Sequence, residues 1–125
     1  VGHTILIVDD AEFMRAMLKD ICLDMHLDVI GEAADGEEAV ARFEQLRPDL
    51  VLLDITMPTL DGDQALRRIL AIDPDAQVVM ITALGQKDQV LSAIKAGARD
   101  FIIKPFDHER VTETLMRLLC PRSVG

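Results

Sequence analysis

Four charged residues stand directly behind apolar runs: Asp9 and Asp10 after ILIV, Asp54 after LVLL, and Lys104 after FII. An apolar strand that stops at a charged residue delivers that charge to the carboxyl edge of a parallel sheet, where open α/β folds bind ligands. Three carboxylates gathered there repel one another by about 4 kcal/mol per pair at roughly 4 Å and an effective dielectric near 20. Such an arrangement calls for a cation. A hard divalent ion takes oxygen ligands, and a lysine ammonium is a point charge suited to a phosphate oxygen.

A carboxylate can itself attack phosphorus and form an acyl phosphate. Phosphoryl transfer then asks chiefly for in-line positioning and charge neutralisation, which a divalent ion and an ammonium supply from opposite sides. On this reading Asp54 is the acceptor, Asp9 and Asp10 hold the metal directly or through water, and Lys104 is the phosphate partner. One of the Asp9 and Asp10 pair can also cap the helix that follows, since Asp before a helix is a good N-cap. Thr82 closes the fourth apolar run just before Ala83. Its β propensity accounts for a Thr there, but its hydroxyl can also donate to a phosphoryl oxygen once that group exists. Phe101, three residues before Lys104, reads as a core aromatic. Lys104-Pro105 is a candidate cis peptide, a state taken by roughly 5–6% of such bonds.

These residues need a scaffold, and the periodicity supplies one. Strand-length apolar runs occupy Thr4 to Val8, Val29 to Ala34, Leu50 to Asp54, Gln77 to Thr82 and Arg99 to Ile103. Between them apolar residues recur at helical spacing: Phe13, Met14, Met17, Leu18, Ile21 and Met25, then Ala39, Val40, Phe43 and Leu46, then Ala65, Leu66, Ile69 and Leu70. Val90, Leu91 and Ile94 mark a fourth helix, and Val111, Leu115, Leu118 and Leu119 a fifth. Asp35 with Glu38 makes a capping-box pattern, Asp107 can cap the last helix, and Gly97 falls where the fourth should stop. Pro48 and Pro74 fall in connections. Near-continuous apolar strands joined by helices predict a parallel sheet covered on both faces, built from five βα units. Rossmann-like and flavodoxin-like strand orders both fit. The first loop carries DDAEFM in place of the GxGxxG that cradles a dinucleotide, so it is built for a cation.

At 125 residues, half of them hydrophobic, the chain is expected to form one domain with one substantial core. A net charge of −9 disfavours nucleic acid and anionic bilayers as direct partners. No apolar run approaches the roughly 20 residues of a membrane span, and VGHTILIVDD lacks the layout of a secretion signal, so a cytoplasmic location is expected. Cys22 and Cys120 make no CxxC motif and are read as buried or half-buried thiols, while His3, His26 and His108 show no metal-ligand spacing and are read as surface residues.

The stretches ILIVDD, LLDITMPTLDG, ITA and AGARDFIIKPF resemble the receiver domain of two-component response regulators, over nearly the whole chain. DDAEFMR, DITMP and DFIIKPF are most similar to its single-domain chemotaxis regulators. The resemblance implies a (βα)5 flavodoxin-like doubly wound sheet of order 2-1-3-4-5, and one receiver domain over residues 1–125. It implies a monomeric phosphoacceptor that is not an enzyme beyond assisting its own phosphorylation and dephosphorylation. Asp54 would take a phosphoryl group from the phosphohistidine of a CheA-like histidine kinase. Mg2+, with Mn2+ as a substitute, would be held by Asp9, Asp10, Asp54 and the backbone carbonyl of Thr56. Lys104, Thr82 and Ala83 would bind the phosphate. Thr82 and Phe101 would switch, reshaping the face of the fourth helix, fifth strand and fifth helix for a downstream partner such as a flagellar motor switch protein, with a phosphatase as a further partner.

Phe101 stands where many relatives have Tyr, so only its burial can report its state. Leu84, two residues after Thr82, offers no polar atom to position an attacking water. The other readings are a receiver cut from a larger regulator, a phosphorelay intermediate, an unphosphorylated binding module, and a haloacid-dehalogenase-type phosphatase. The last would carry a second acid two residues after its nucleophile, where this chain has Thr56.

Overall fold

The computed structural model describes residues 3–57 and 59–119. Ten elements alternate: β1 (Thr4–Val8), α1 (Glu12–Asp24), β2 (Asp28–Ala33), α2 (Gly36–Leu46), β3 (Leu50–Asp54), α3 (Gly62–Ile72), β4 (Gln77–Ala83), α4 (Lys87–Ala96), β5 (Asp100–Lys104) and α5 (His108–Leu119). The five strands form one parallel sheet in the order β2-β1-β3-β4-β5. This decides between the two strand orders that the periodicity left open. The chain leaves β1 toward β2 and then returns to the other side of β1 to form β3. The reversal opens a crevice at their carboxyl ends.

The period of two along each strand sorts the core into two layers. Leu6, Val8, Val51, Leu53, Val78 and Met80 face Phe43, Leu66, Ile69 and Ala93 on the side of α2, α3 and α4. Ile5, Ile7, Leu50, Leu52, Val79 and Ile81 face Leu18, Ile21, Val111 and Leu115 on the side of α1 and α5. Residues 50 to 54 of β3 are all buried, which holds the central strand rigidly.

Three strands differ by a residue, at one or both ends, from the sequence reading. β2 runs Asp28–Ala33, β4 includes Ala83, and β5 runs Asp100–Lys104. At the carboxyl edge the reason is pairing: Ala83 lies opposite Lys104, so the parallel ladder extends both strands by one position. Lys104 is thereby part of the sheet edge, which fixes where its side chain starts.

Local capping follows the expected chemistry. Asp35 accepts from the Glu38 N–H at 2.8 Å, and Glu38 accepts in return from the Ala34 N–H at 2.8 Å. Asp107 accepts from the Arg110 N–H at 2.8 Å, and α4 stops at Gly97 with φ +126°. The expected capping of α1 by one of Asp9 and Asp10 is corrected. The N-cap position is Ala11, with no side-chain cap, because α1 begins too far along for either acid to reach its first turn. Asp9 instead accepts from the Ala11 N–H at 2.9 Å and closes the turn that leads to the helix.

Cys22 is buried, and burial pushes its thiol up to about 12, so it packs as a small hydrophobe and is not a nucleophile. Cys120 lies outside the described residues. His26 and His108 are exposed, the latter 3.0 Å from Asp24, whereas His3 is half-buried near Asp49. Phe13 is 73% exposed despite its helical spacing with the core residues of α1.

Candidate functional site

β1 and β3 end side by side, so Asp9, Asp10 and Asp54 converge in the crevice. Each offers a carboxylate oxygen within 4.8 Å of the others. Asp9 is fully buried, Asp54 is 5% exposed, and Asp10 faces solvent. Lys104 reaches across from the end of β5. Its Nζ lies 3.1 Å from Asp9 Oδ2 and 3.6 Å from Asp54 Oδ2. The two buried acids therefore share a single ammonium, and the exposed Asp10 lies beside them. The local charge of −2 that remains, presented entirely on oxygen, fits a hard divalent ion.

Asp54 shows the tension directly. Burial pushes its carboxyl up to about 6, repulsion from Asp9 adds to this, and the Lys104 ammonium and the Thr56 N–H pull it back. The Thr56 N–H contact is long, at 3.4 Å from Oδ1. Asp54 is thus held by the rigidity of β3 more than by hydrogen bonds. Beyond it, the Ile55 N–H donates to the Ile81 carbonyl at 3.0 Å, and the Gly62 N–H donates to the Ile55 carbonyl at 2.7 Å. The start of α3 is therefore pressed against the backbone that carries Asp54.

Three residues that the sequence reading did not single out complete the arrangement. Arg15 of α1 donates from Nη1 to the Asp9 carbonyl at 2.7 Å and from Nε to Glu32 at 3.1 Å, pinning the end of β1. Gln86 and Gly62 are the others. Nothing local marks them: Arg15 reads as the polar face of an amphipathic helix and Gln86 as a loop amide.

Thr82 is 2% exposed at the end of β4, and Ala83 follows it at the surface. Thr56 lies exposed in the loop after Asp54. Phe101 is half-buried, resting on the α2-α3-α4 layer. It also lines a groove of about 580 Å³ together with Leu84, Val90, Leu91, Ile94 and Ile103. Lys104-Pro105 is cis.

The family model described as the response regulator receiver domain matches residues 5–116. A chemotaxis protein CheY from Thermotoga maritima is 50% identical over 118 residues, spanning 94% of this chain and 98% of that protein. Its counterpart from Bacillus subtilis is 49% identical over 119 residues, 95% of this chain and 99% of the relative. Among solved structures, a chain of the CheX-CheY-BeF3-Mg complex from Borrelia burgdorferi matches with a TM-score of 0.89 at 40% identity, covering 93% of this chain and 88% of that one. No helix among the described residues is long and apolar enough to cross a membrane. With these matches spanning the strands and loops that build the acidic crevice, the chain belongs to the response regulator receiver domain family, within which it is similar to the chemotaxis CheY proteins.

Proposed function

We infer that this chain is the phosphoacceptor of a two-component chemotaxis system. The observation that carries the reading is the convergence of Asp9, Asp10, Asp54 and Lys104 at one sheet edge, with the buried Asp54 between opposing charges. The similarity to CheY proteins supports a chemotaxis setting.

In the proposed reaction an Asp54 carboxylate oxygen attacks the phosphorus of a kinase phosphohistidine. The new O–P bond forms as the P–N bond breaks, and the electron pair leaves on the imidazole nitrogen, which takes up a proton. Asp9, Asp10, Asp54 and the Thr56 carbonyl would hold Mg2+, which when bound neutralises charge on the transferring group. Lys104 turns from its carboxylates to a phosphoryl oxygen. The Thr82 hydroxyl and the Ala83 N–H stand at the end of β4 to donate to the same group. The added charge of about −1.5 to −2 and the new acceptor oxygens supply the drive to rearrange that edge.

Thr82 is followed by the loop that borders the apolar groove, so a shift of Thr82 reaches Leu84, Leu91, Ile94, Phe101 and Ile103. Of these, Leu84, Leu91, Ile94 and Ile103 are exposed large hydrophobic side chains. The groove is the proposed output surface, and a motor switch protein is the expected partner.

Transfer from a phosphorylated CheA-like kinase, followed by gel or mass analysis with Mg2+ present, tests this reading. Uptake is expected in the wild type, and Lys104→Ala should slow it by about 10²–10³-fold, the usual cost of losing one charge-stabilising donor. Equal uptake by Lys104→Ala, with its far-UV circular dichroism unchanged, would contradict the role of Lys104.

A further inference from the structure

Gln86 sits at the N-cap position of α4, yet its side chain makes no capping bond to that helix. It turns back to the end of β4 instead. Its Oε1 accepts from the Thr82 hydroxyl at 3.0 Å and from the Ala83 N–H at 2.8 Å. Its Nε2 donates to Thr56 Oγ1 at 2.6 Å, across the mouth of the crevice. The orientation of the amide follows from chemistry: a backbone N–H can only donate, so the oxygen must face Ala83.

These partners matter because of what else needs them. The Ala83 N–H has one proton, and it is spent on Gln86. The Thr82 hydroxyl has one proton, shared between Gln86 and, at 3.2 Å, the Ala83 carbonyl. Both donors proposed for a phosphoryl oxygen are thus already satisfied by a single neutral acceptor in the unmodified protein. The third bond ties the loop after β4 to the loop after Asp54.

We propose that Gln86 is a positioning residue whose amide oxygen holds the place of a phosphoryl oxygen on Thr82 and Ala83, and must leave when that group arrives. This rests on the phosphoacceptor reading above. An anionic oxygen makes stronger hydrogen bonds than an amide oxygen and wins the exchange, but each uptake carries the cost of breaking the Gln86 contacts. Departure of Gln86 also unties the loop from Thr56. Gly85, with φ +91° and open space around its α-carbon, then has freedom to swing. Leu84 and the rim of the apolar groove move with it, so release of Gln86 couples the site to the proposed output surface.

The test uses beryllofluoride with Mg2+ as the phosphoryl-group probe, titrated into wild type, Gln86→Ala and Gln86→Glu, with amide resonances followed by NMR. Gln86→Ala frees both donors and should bind the probe about three- to tenfold more tightly, the worth of roughly one neutral hydrogen bond. Gln86→Glu puts a charged acceptor on the same donors and should bind at least about tenfold more weakly. Without the probe, the Ala83 amide proton should move upfield in Gln86→Ala, as it exchanges its protein acceptor for water. Probe binding within twofold of wild type in both variants, or weaker binding by Gln86→Ala, would overturn the role of Gln86 while leaving Asp54 as acceptor. A wild type that shows no response to the probe would overturn the phosphoacceptor reading, and this proposal with it.

Discussion

Asp54→Asn is expected to make the metal-free protein more stable at pH 7.5, on the order of 2–3 kcal/mol, by removing a carboxylate whose burial raises its pKa to about 6 from an ordinary 3.8. Between about pH 4 and pH 6 the folded wild type takes up a proton on Asp54 that the unfolded chain does not bind. Wild-type stability therefore falls as pH rises through that window, and above about pH 6 the full cost of the buried charge is present. The amide variant lacks this dependence, so the gap between the two proteins should open from about pH 4 and level off above about pH 6. Urea unfolding in a metal chelator checks it. Circular dichroism is the natural signal, because the chain has no Trp and no Tyr. A wild type more stable than Asp54→Asn at pH 7.5, or a gap independent of pH, would contradict the electrostatic account. A site that costs stability when empty and recovers it with ligand is a common price of function.

Gly62→Ala is expected to destabilise the protein by at least about 3 kcal/mol, at the upper end for overpacking a rigid site. A β-carbon there would lie 2.2 Å from the Asp54 carbonyl oxygen and 2.6 Å from the Ile55 α-carbon. Both are backbone atoms, at the last residue of β3 and the buried residue after it, and the Gly62 N–H bond to the Ile55 carbonyl prevents the helix from backing away. The substitution should therefore also lower phosphoryl uptake in the molecules that remain folded. Gly85→Ala is the contrast. Its surroundings are open, so only the positive φ is strained, and the expected cost is about 1–2 kcal/mol. Equal effects at the two positions, measured by chemical unfolding, would contradict close packing of α3 on the Asp54–Ile55 backbone.

Asp54, the acids beside it and Lys104 were legible because each closes an apolar run, and the number and alternation of those runs dictated the βα order. Strand order was not legible from periodicity. Either doubly wound arrangement buries the same residues, and only pairing between distant strands chooses between them. The carboxyl ends of β4 and β5 slipped by one residue for the same reason, since Ala83 and Lys104 belong to the sheet only through each other. Two contacts inside the site also escaped the sequence. Lys104 is expected beside a phosphate on Asp54, yet in the unmodified protein its shorter contact is to Asp9, the more deeply buried acid. Gln86 meets Thr56 across 30 positions of sequence, and no local pattern distinguishes it from an ordinary loop amide.

Phe13 shows the opposite failure, since its helical spacing matches the core residues of α1 and yet its side chain is 73% exposed. The exposed apolar residues of α4 and β5 differ from Phe13 because they share one groove with Phe101. Spacing alone places a residue on a face of a helix. Whether that face meets the sheet depends on how the helix crosses it.

The intact mass of the protein after incubation with a small phosphodonor such as acetyl phosphate, with and without Mg2+, tests the central claim most directly. A single phosphoryl adduct that needs Mg2+ and is lost in Asp54→Ala is the predicted result. No adduct on the wild type, or an adduct that Asp54→Ala retains, would contradict Asp54 as the phosphoacceptor.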